Sequence, residues 1–423
     1  MERGKIPQLD EKQFSADLAT LVAYDTSRKP PAPGAPFGME TAQALHAFLQ
    51  LAAGYGFRVK NIANYCGYVE YGTGEAMVAL LGHLDVVPAG DLKEWQTPPF
   101  TLTIKGDKLL GRGVIDNKGP VLLALHALKA LKEGNVKLQK RLRLIVGCAE
   151  ESGCECIARY KKTEELPQYV ITPDADYPGI IGEKGVLNIS IHKKLRPGNP
   201  LLSMQVGSVI NAVPGYAAAT VEGKKYEAFG KAAHGSKPEE GDNALVKLCT
   251  KLRQNYKHEF LELMQFVNAK GLNVDLKDAY SVLTLVPSLA QVDKEQAQVK
   301  CDIRFPITLQ AEDVVRRIRA RVEALGFTLT VLSSYEPLYI EPESALAKGL
   351  LKTYQQCTGD TTTKQQIIGG GTYAKTLPNT MAFGAMFPGE TPTEHTAAES
   401  WSMDKVRKNY EIFLAAIKTL DNL

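Results

Sequence analysis

Short apolar runs of strand length alternate with amphipathic helical stretches in the first part of this chain, and that alternation restricts the fold more than any other feature. The runs are Met77 to Leu81, Thr101 to Ile104, Leu142 to Gly147 and Tyr169 to Thr172. Between two of them, Asn117 to Leu131 has helical periodicity, with Val121, Leu122, Leu125 and Leu128 in its apolar stripe. Glu11 to Thr26 and Met39 to Ala53 also read as helices, and Gly54 and Gly56 stop the second. Such an order predicts an α/β domain: a mixed, largely parallel sheet flanked by helices, with its site at the carboxyl ends of the strands.

After about Glu183 the pattern changes to short strands at Val186 to His192, Tyr226 to Gly230, Ser281 to Val286 and Gln298 to Ile303, with two helices near Asp242 to Leu252 and Ala311 to Leu325. That is an α+β pattern. Helical signals resume after Glu336 and end in a helix near Met403 to Leu423. The expected organisation is a catalytic domain in two parts, residues 1–185 and 336–423, interrupted by an inserted lid domain of ferredoxin-like α+β character at 186–335. At 423 residues the chain is long enough for this, on a rough prior of about 150 residues per domain.

Charge excludes one class of function. With 50 Lys and Arg against 47 Asp and Glu, the net charge of +3 supplies no field for a nucleic acid. The arginines at 316, 317, 319 and 321 read as a solvated helix face diluted by Glu312, Asp313 and Glu323. No apolar run is long enough for a bilayer, and the first residues lack the apolar core of a secretory leader, so a cytoplasmic protein is expected. Seven scattered cysteines, an odd number, point to reduced thiols. Cys154 and Cys156 are closer than the usual zinc C-x-x-C and have no second pair.

Five segments carry metal-type ligands: Gly82-His83-Leu84-Asp85, Gly113 to Gly119 with Asp116, Ala149-Glu150-Glu151-Ser152, Thr172-Pro173-Asp174-Ala175-Asp176 and Thr393-Glu394-His395-Thr396. Any one of these acids taken alone reads as a solvated loop carboxylate. Together, the first four fall after strand-like runs, where an α/β sheet assembles its site, and the set suits a pair of zinc-like ions. Asp116, on a glycine-flanked turn, is the candidate shared ligand, and His83 and His395 would take one ion each.

These segments resemble those of the dinuclear metallopeptidase family that contains aminoacylases, carboxypeptidase G and succinyl-diaminopimelate desuccinylase. The resemblance continues through Asn211-Ala212-Val213-Pro214, Lys231 to Ser236, Arg304 and Gly369 to Glu399. The run His83 to Gly90 followed by Trp95, together with Asn117-Lys118-Gly119-Pro120, Gly182 to Gly185 and Phe383-Gly384-Ala385, resembles the PepV/Sapep-type bacterial dipeptidases more than the deacylases.

The resemblance implies that His83 and Asp174 hold one ion, Glu151 and His395 the other, and Asp116 bridges. Asp176 competes with Asp174, which occupies the matching place in the motif. Asp85 would accept the second N–H of the His83 imidazole. Glu150 would be the general base for attack by metal-bound hydroxide on a dipeptide. In the lid, His234 would donate to the oxyanion, Arg304 would grip the substrate carboxylate, and Asn211, Gly370 and Gly371 would hold its polar ends. Zinc is the first expectation, with manganese or cobalt as alternatives. The size of the insertion favours a monomer over a homodimer through the lid.

An N-acyl-amino-acid or N-succinyl deacylase would use the same centre. A silent peptide-binding module would have no need of Glu150. The ordinary reading of His234 is a turn histidine, and of Arg304 a surface ion pair. His46 and His126 are expected to pack, and His192 and His258 to lie at the surface.

Overall fold

A computed structural model describes residues 6–196 and 200–423; the first five residues of the stretch read for a leader lie outside the described residues. Two compact units emerge. The first contains the chain up to Ile181, Ile340–Gln366 and Thr372–Leu423, and the second contains Gly182–Tyr339 and Ile367–Gly371. Nothing in the hydrophobic pattern marks the short excursion at 367–371.

The first unit is α/β. Its sheet runs Arg58–Ile62, Cys66–Tyr71, Arg141–Gly147, Met77–His83, Tyr169–Thr172, Thr380–Ala382 and Ile180–Glu183, the last of which crosses into the second unit. Arg141–Gly147, Met77–His83, Tyr169–Thr172 and Thr380–Ala382 are mutually parallel neighbours, and the flanking pairs are antiparallel. Met77–His83 is buried along its whole length, as expected for a central strand covered on both faces.

Helix Lys118–Glu133 packs against this strand and against helices Glu11–Val22 and Met403–Asn422. Leu122, Leu123, Leu125, Leu128 and Leu131 are fully buried, each contributing roughly 1.5–3 kcal/mol of transfer free energy. The approach of helix to strand depends on Gly82. A Cβ there would lie 2.4 Å from Val121 Cγ2 and 2.5 Å from Asn117 Oδ1.

The second unit is α+β. Seven strands form one antiparallel sheet, with Gly185–Lys194 and Gln296–Phe305 paired over ten residues near one side. Leu187, Ile189, Ile191, Val299 and Ile303 share a core with Leu245, Leu248, Ile318 and Val322 from helices Ala244–Arg253 and Ala311–Ala324.

Three local expectations fail. A third helix, Glu259–Met264, forms in this unit, capped by a His258 that is buried rather than at the surface and accepts the Phe260 amide at 3.1 Å. His46 is exposed. The short helix is brief enough that its apolar residues show no helical period in sequence. His126 is buried, 2.9 Å from Asp17. All seven cysteines are unpaired.

Candidate metal centre

Three parallel strands that lie side by side end at the same edge of the sheet, and their ends carry His83, the Glu150–Glu151 pair and Asp174. Asp116 stands just before helix Lys118–Glu133, and His395 comes from the loop before strand Ser400–Ser402. The structure brings all five metal-ligand candidates together. His83 Nε2 lies 3.1 Å from Asp116 Oδ1 and 3.5 Å from Asp174 Oδ2. His395 Nε2 lies 2.8 Å from Asp116 Oδ2 and 3.1 Å from Glu151 Oε1. The two oxygens of one carboxylate thus face two different imidazoles.

The donor chemistry fits a cation in each group. His83 is fully buried, and its Nδ1 donates to the main-chain carbonyl of Asp85 at 2.9 Å. That fixes the tautomer and leaves the Nε2 lone pair pointing at the carboxylates. Nε2 is buried without a hydrogen bond, an arrangement costly for a polar atom unless something else occupies its lone pair. Among the described residues, two clusters have metal-ligating geometry, His83 with Asp116 and Asp174, and Asp116 with Glu151 and His395. Asp174 belongs to the first, and Asp176 to neither.

One expected contact is corrected. The imidazole N–H goes to the carbonyl of Asp85 and not to its carboxylate, whose nearer oxygen is 3.6 Å away. The Asp85 carboxylate instead accepts the amides of Glu150 and Glu151, each at 3.1 Å. Two main-chain donors outcompete one ring N–H already satisfied at shorter range, so Asp85 braces the turn that carries the two glutamates.

Electrostatics follow from this crowding. Burial opposes charge on His83, yet Asp174 and Asp116 hold its pKa well above the ordinary value. Burial likewise opposes charge on His395, but Asp116 and Glu151 raise it to about 11. Asp116, despite burial, is held below the usual carboxylate range by the two imidazoles. Burial and the charge on Asp116 push Glu151 up to about 7. Glu150 is raised well above its ordinary value, first by burial and then by Asp174, with Glu151 and Asp85 adding.

Three residues of the centre were given no role by the sequence reading. Asn117 is fully buried and donates to Pro173 O at 2.7 Å and Asp174 Oδ1 at 3.2 Å, tying Asp116's neighbour to the third strand end. Arg112 and Glu399 form a buried ion pair at 2.7 Å. The glycine-rich turn was the available signal for the first. For the pair, an isolated Arg and Glu far apart in sequence offered none.

The other candidates lie in the second unit and cluster there. Ala212 pairs with His234, the Gly235 amide donates to Asn211 O at 2.7 Å, and His234 Nδ1 lies 2.7 Å from Ser236 Oγ. Arg304 is buried, so it is no surface pair. Its Nε and Nη2 fork Asp302 at 2.7 and 2.8 Å, and Nη1 donates to Gly369 O at 3.2 Å, beside Gly370 and Gly371.

Residues 79–419 match the model of Peptidase family M20/M25/M40. The chain is 32% identical over 435 residues to a Bacillus subtilis protein named "Putative dipeptidase YtjP", covering 92% of each. It is also 32% identical to a Staphylococcus epidermidis protein named "Putative dipeptidase", covering 97% of each. Among solved structures, the dipeptidase Dug1p of Saccharomyces cerevisiae superposes with a TM-score of 0.65 at 13% identity over 98% of this chain and 96% of its own. Human carnosine dipeptidase 1 superposes with a TM-score of 0.63 at 15% identity over 98% and 97%. At such identities these two likenesses speak for the fold.

Proposed function

The chain belongs to Peptidase family M20/M25/M40, a metallopeptidase by that membership, and from this premise we propose that it hydrolyses dipeptides at a dinuclear centre. The single observation that carries the dinuclear reading is Asp116, with one oxygen toward His83 and the other toward His395. His83 and Asp174 would hold one divalent ion, Glu151 and His395 the other, and Asp116 both. When bound, such ions polarise a peptide carbonyl and lower the pKa of water from 15.7 toward roughly 7. Zinc suits this nitrogen and oxygen set, as do manganese and cobalt.

The chain's own groups supply the rest. Glu150 takes the proton of the attacking water and returns it to the leaving amine; it sits beside Glu151 on the turn that Asp85 braces. In the second unit, His234 is assigned to the developing oxyanion. Arg304 is assigned to the substrate's terminal carboxylate: Asp302 and Gly369 occupy three of its five N–H donors and hold the guanidinium in one orientation, and the described residues leave two donors over. Asn211, Gly370 and Gly371 are assigned to the substrate's polar ends. The unpaired cysteines support a reducing compartment, the cytoplasm.

The test is turnover on a panel of unblocked dipeptides and N-acyl amino acids, before and after chelation. Metal-dependent cleavage of the dipeptides is the expected result. Preference for the N-acyl compounds would make the protein a deacylase, and no hydrolysis with metals bound would refute both.

A further inference from the structure

Asp116 and His395 are separated by about two thirds of the chain, yet their side chains meet at 2.8 Å. Strand Ser400–Ser402 pairs with Lys108–Leu110, and a buried ion pair then joins the loop that follows the second strand to the loop that precedes the first. One oxygen of the Glu399 carboxylate, Oε1, faces the amides of Gly113 at 2.8 Å, Ile115 at 3.3 Å and Asp116 at 3.4 Å, a nest of donors around one anion. The other, Oε2, accepts from Arg112 at 2.7 Å. The same guanidinium reaches the carbonyl of Thr396, next to His395, and that of Pro88, each at 3.3 Å. Both partners are buried, at 2% and 1% exposure.

The two sides of the centre are fixed differently. Asn117 ties Asp116 to the Asp174 side, and the Asp85 carbonyl orients His83. Toward His395, the described hydrogen bonds that reach from the Asp116 loop to residues 393–399 run through Arg112 and Glu399 and the Gly111 amide. His395 itself has a φ of +62°, a left-handed backbone that costs a non-glycine residue roughly 1–2 kcal/mol and needs its flanks held.

We propose that Arg112 and Glu399 are a positioning pair that sets Asp116 against His395, so that disabling it weakens the ion held by Asp116, Glu151 and His395 and spares the one held by His83, Asp116 and Asp174. The proposal rests on the dinuclear reading above. Glu399→Gln keeps the shape but not the charge. An amide can face either the nest or the guanidinium with its oxygen, and its NH₂ must then meet donors on the other side.

The experiment is zinc titration of the metal-free full-length protein against a chromophoric chelator, with cobalt titrations read by visible absorption. Wild type should take two ions. In Glu399→Gln one ion should keep its affinity within about threefold, and the other should weaken by about 10- to 100-fold, the usual range for lost supporting contacts. The cobalt spectrum of the second equivalent should change while the first does not. Arg112→Lys retains a charge but loses the fork to Thr396 and Pro88, and should show a smaller selective loss. It carries the test should Glu399→Gln not fold by circular dichroism. Two ions of unchanged affinity in both variants, or equal weakening of both ions, would overturn the pair's role. Fewer than two ions in wild type would instead overturn the dinuclear reading.

Discussion

The two halves of the metal centre are built by opposite means. The His83 half belongs to the sheet: a buried strand end, a ring oriented by the carbonyl two residues on, and Asn117 linking the neighbouring loop. The His395 half is a loop residue, half-exposed and left-handed, that meets Glu151 from 244 residues away in sequence. The first half comes with the fold. The second needs a separate device to bring it into register, so the two ions should differ in what it takes to lose them.

The largest effect should come from the residue common to both halves. Asp116→Asn should release both ions and reduce dipeptide turnover to that of chelated enzyme, checked by metal content and rate together. If one ion stayed at full affinity, Asp116 would not be shared. Next, Glu150→Gln should lower turnover by about 10²- to 10⁴-fold while both ions remain. Near-normal turnover would remove Glu150 from the chemistry.

The histidines test the contrast itself. Removing the buried His83 imidazole leaves the Asp85 carbonyl and nearby carboxylates unsatisfied, so His83→Ala should destabilise the metal-free protein by about 1–3 kcal/mol. His395→Ala, at a half-exposed ring, should cost the metal-free protein less stability at neutral pH than His83→Ala does, and each variant should lose one ion. Equal losses of stability would erase the distinction between the halves.

The smallest effect is in pH dependence. His395, raised to about 11, is protonated at neutral pH in the metal-free protein, and a ligand must shed that proton. Zinc affinity should therefore rise with pH, with proton release visible in calorimetry across buffers of different ionisation enthalpy. A raised histidine contributes stability that is complete below about 6.5 and lost as pH climbs through about 11. Glu151, raised to about 7, acts in the same direction, so the metal-free protein should soften as its metal affinity grows.

What the sequence made legible follows the same division. The apolar runs at Met77 and Leu142 and the stripe of helix Lys118–Glu133 announce an α/β sheet, and ligands placed just after strand-like runs announce its site. Contacts that depend on main-chain groups were hidden. Nothing in the order of residues shows that the Asp85 carbonyl takes the His83 N–H, or that Glu399 gathers three amides. A charged pair such as Arg112 and Glu399 reads as surface until the fold buries it, and His258 looked exposed beside Lys257 because a six-residue helix carries too few positions to show its period.

Crystals of the protein soaked in manganese, with anomalous differences recorded at its absorption edge, test the shared carboxylate most directly. Two peaks should flank Asp116, one on the side of Oδ1 with His83 and Asp174, the other on the side of Oδ2 with Glu151 and His395. A single peak, or a pair of peaks with Asp116 bound to neither, would contradict the dinuclear centre.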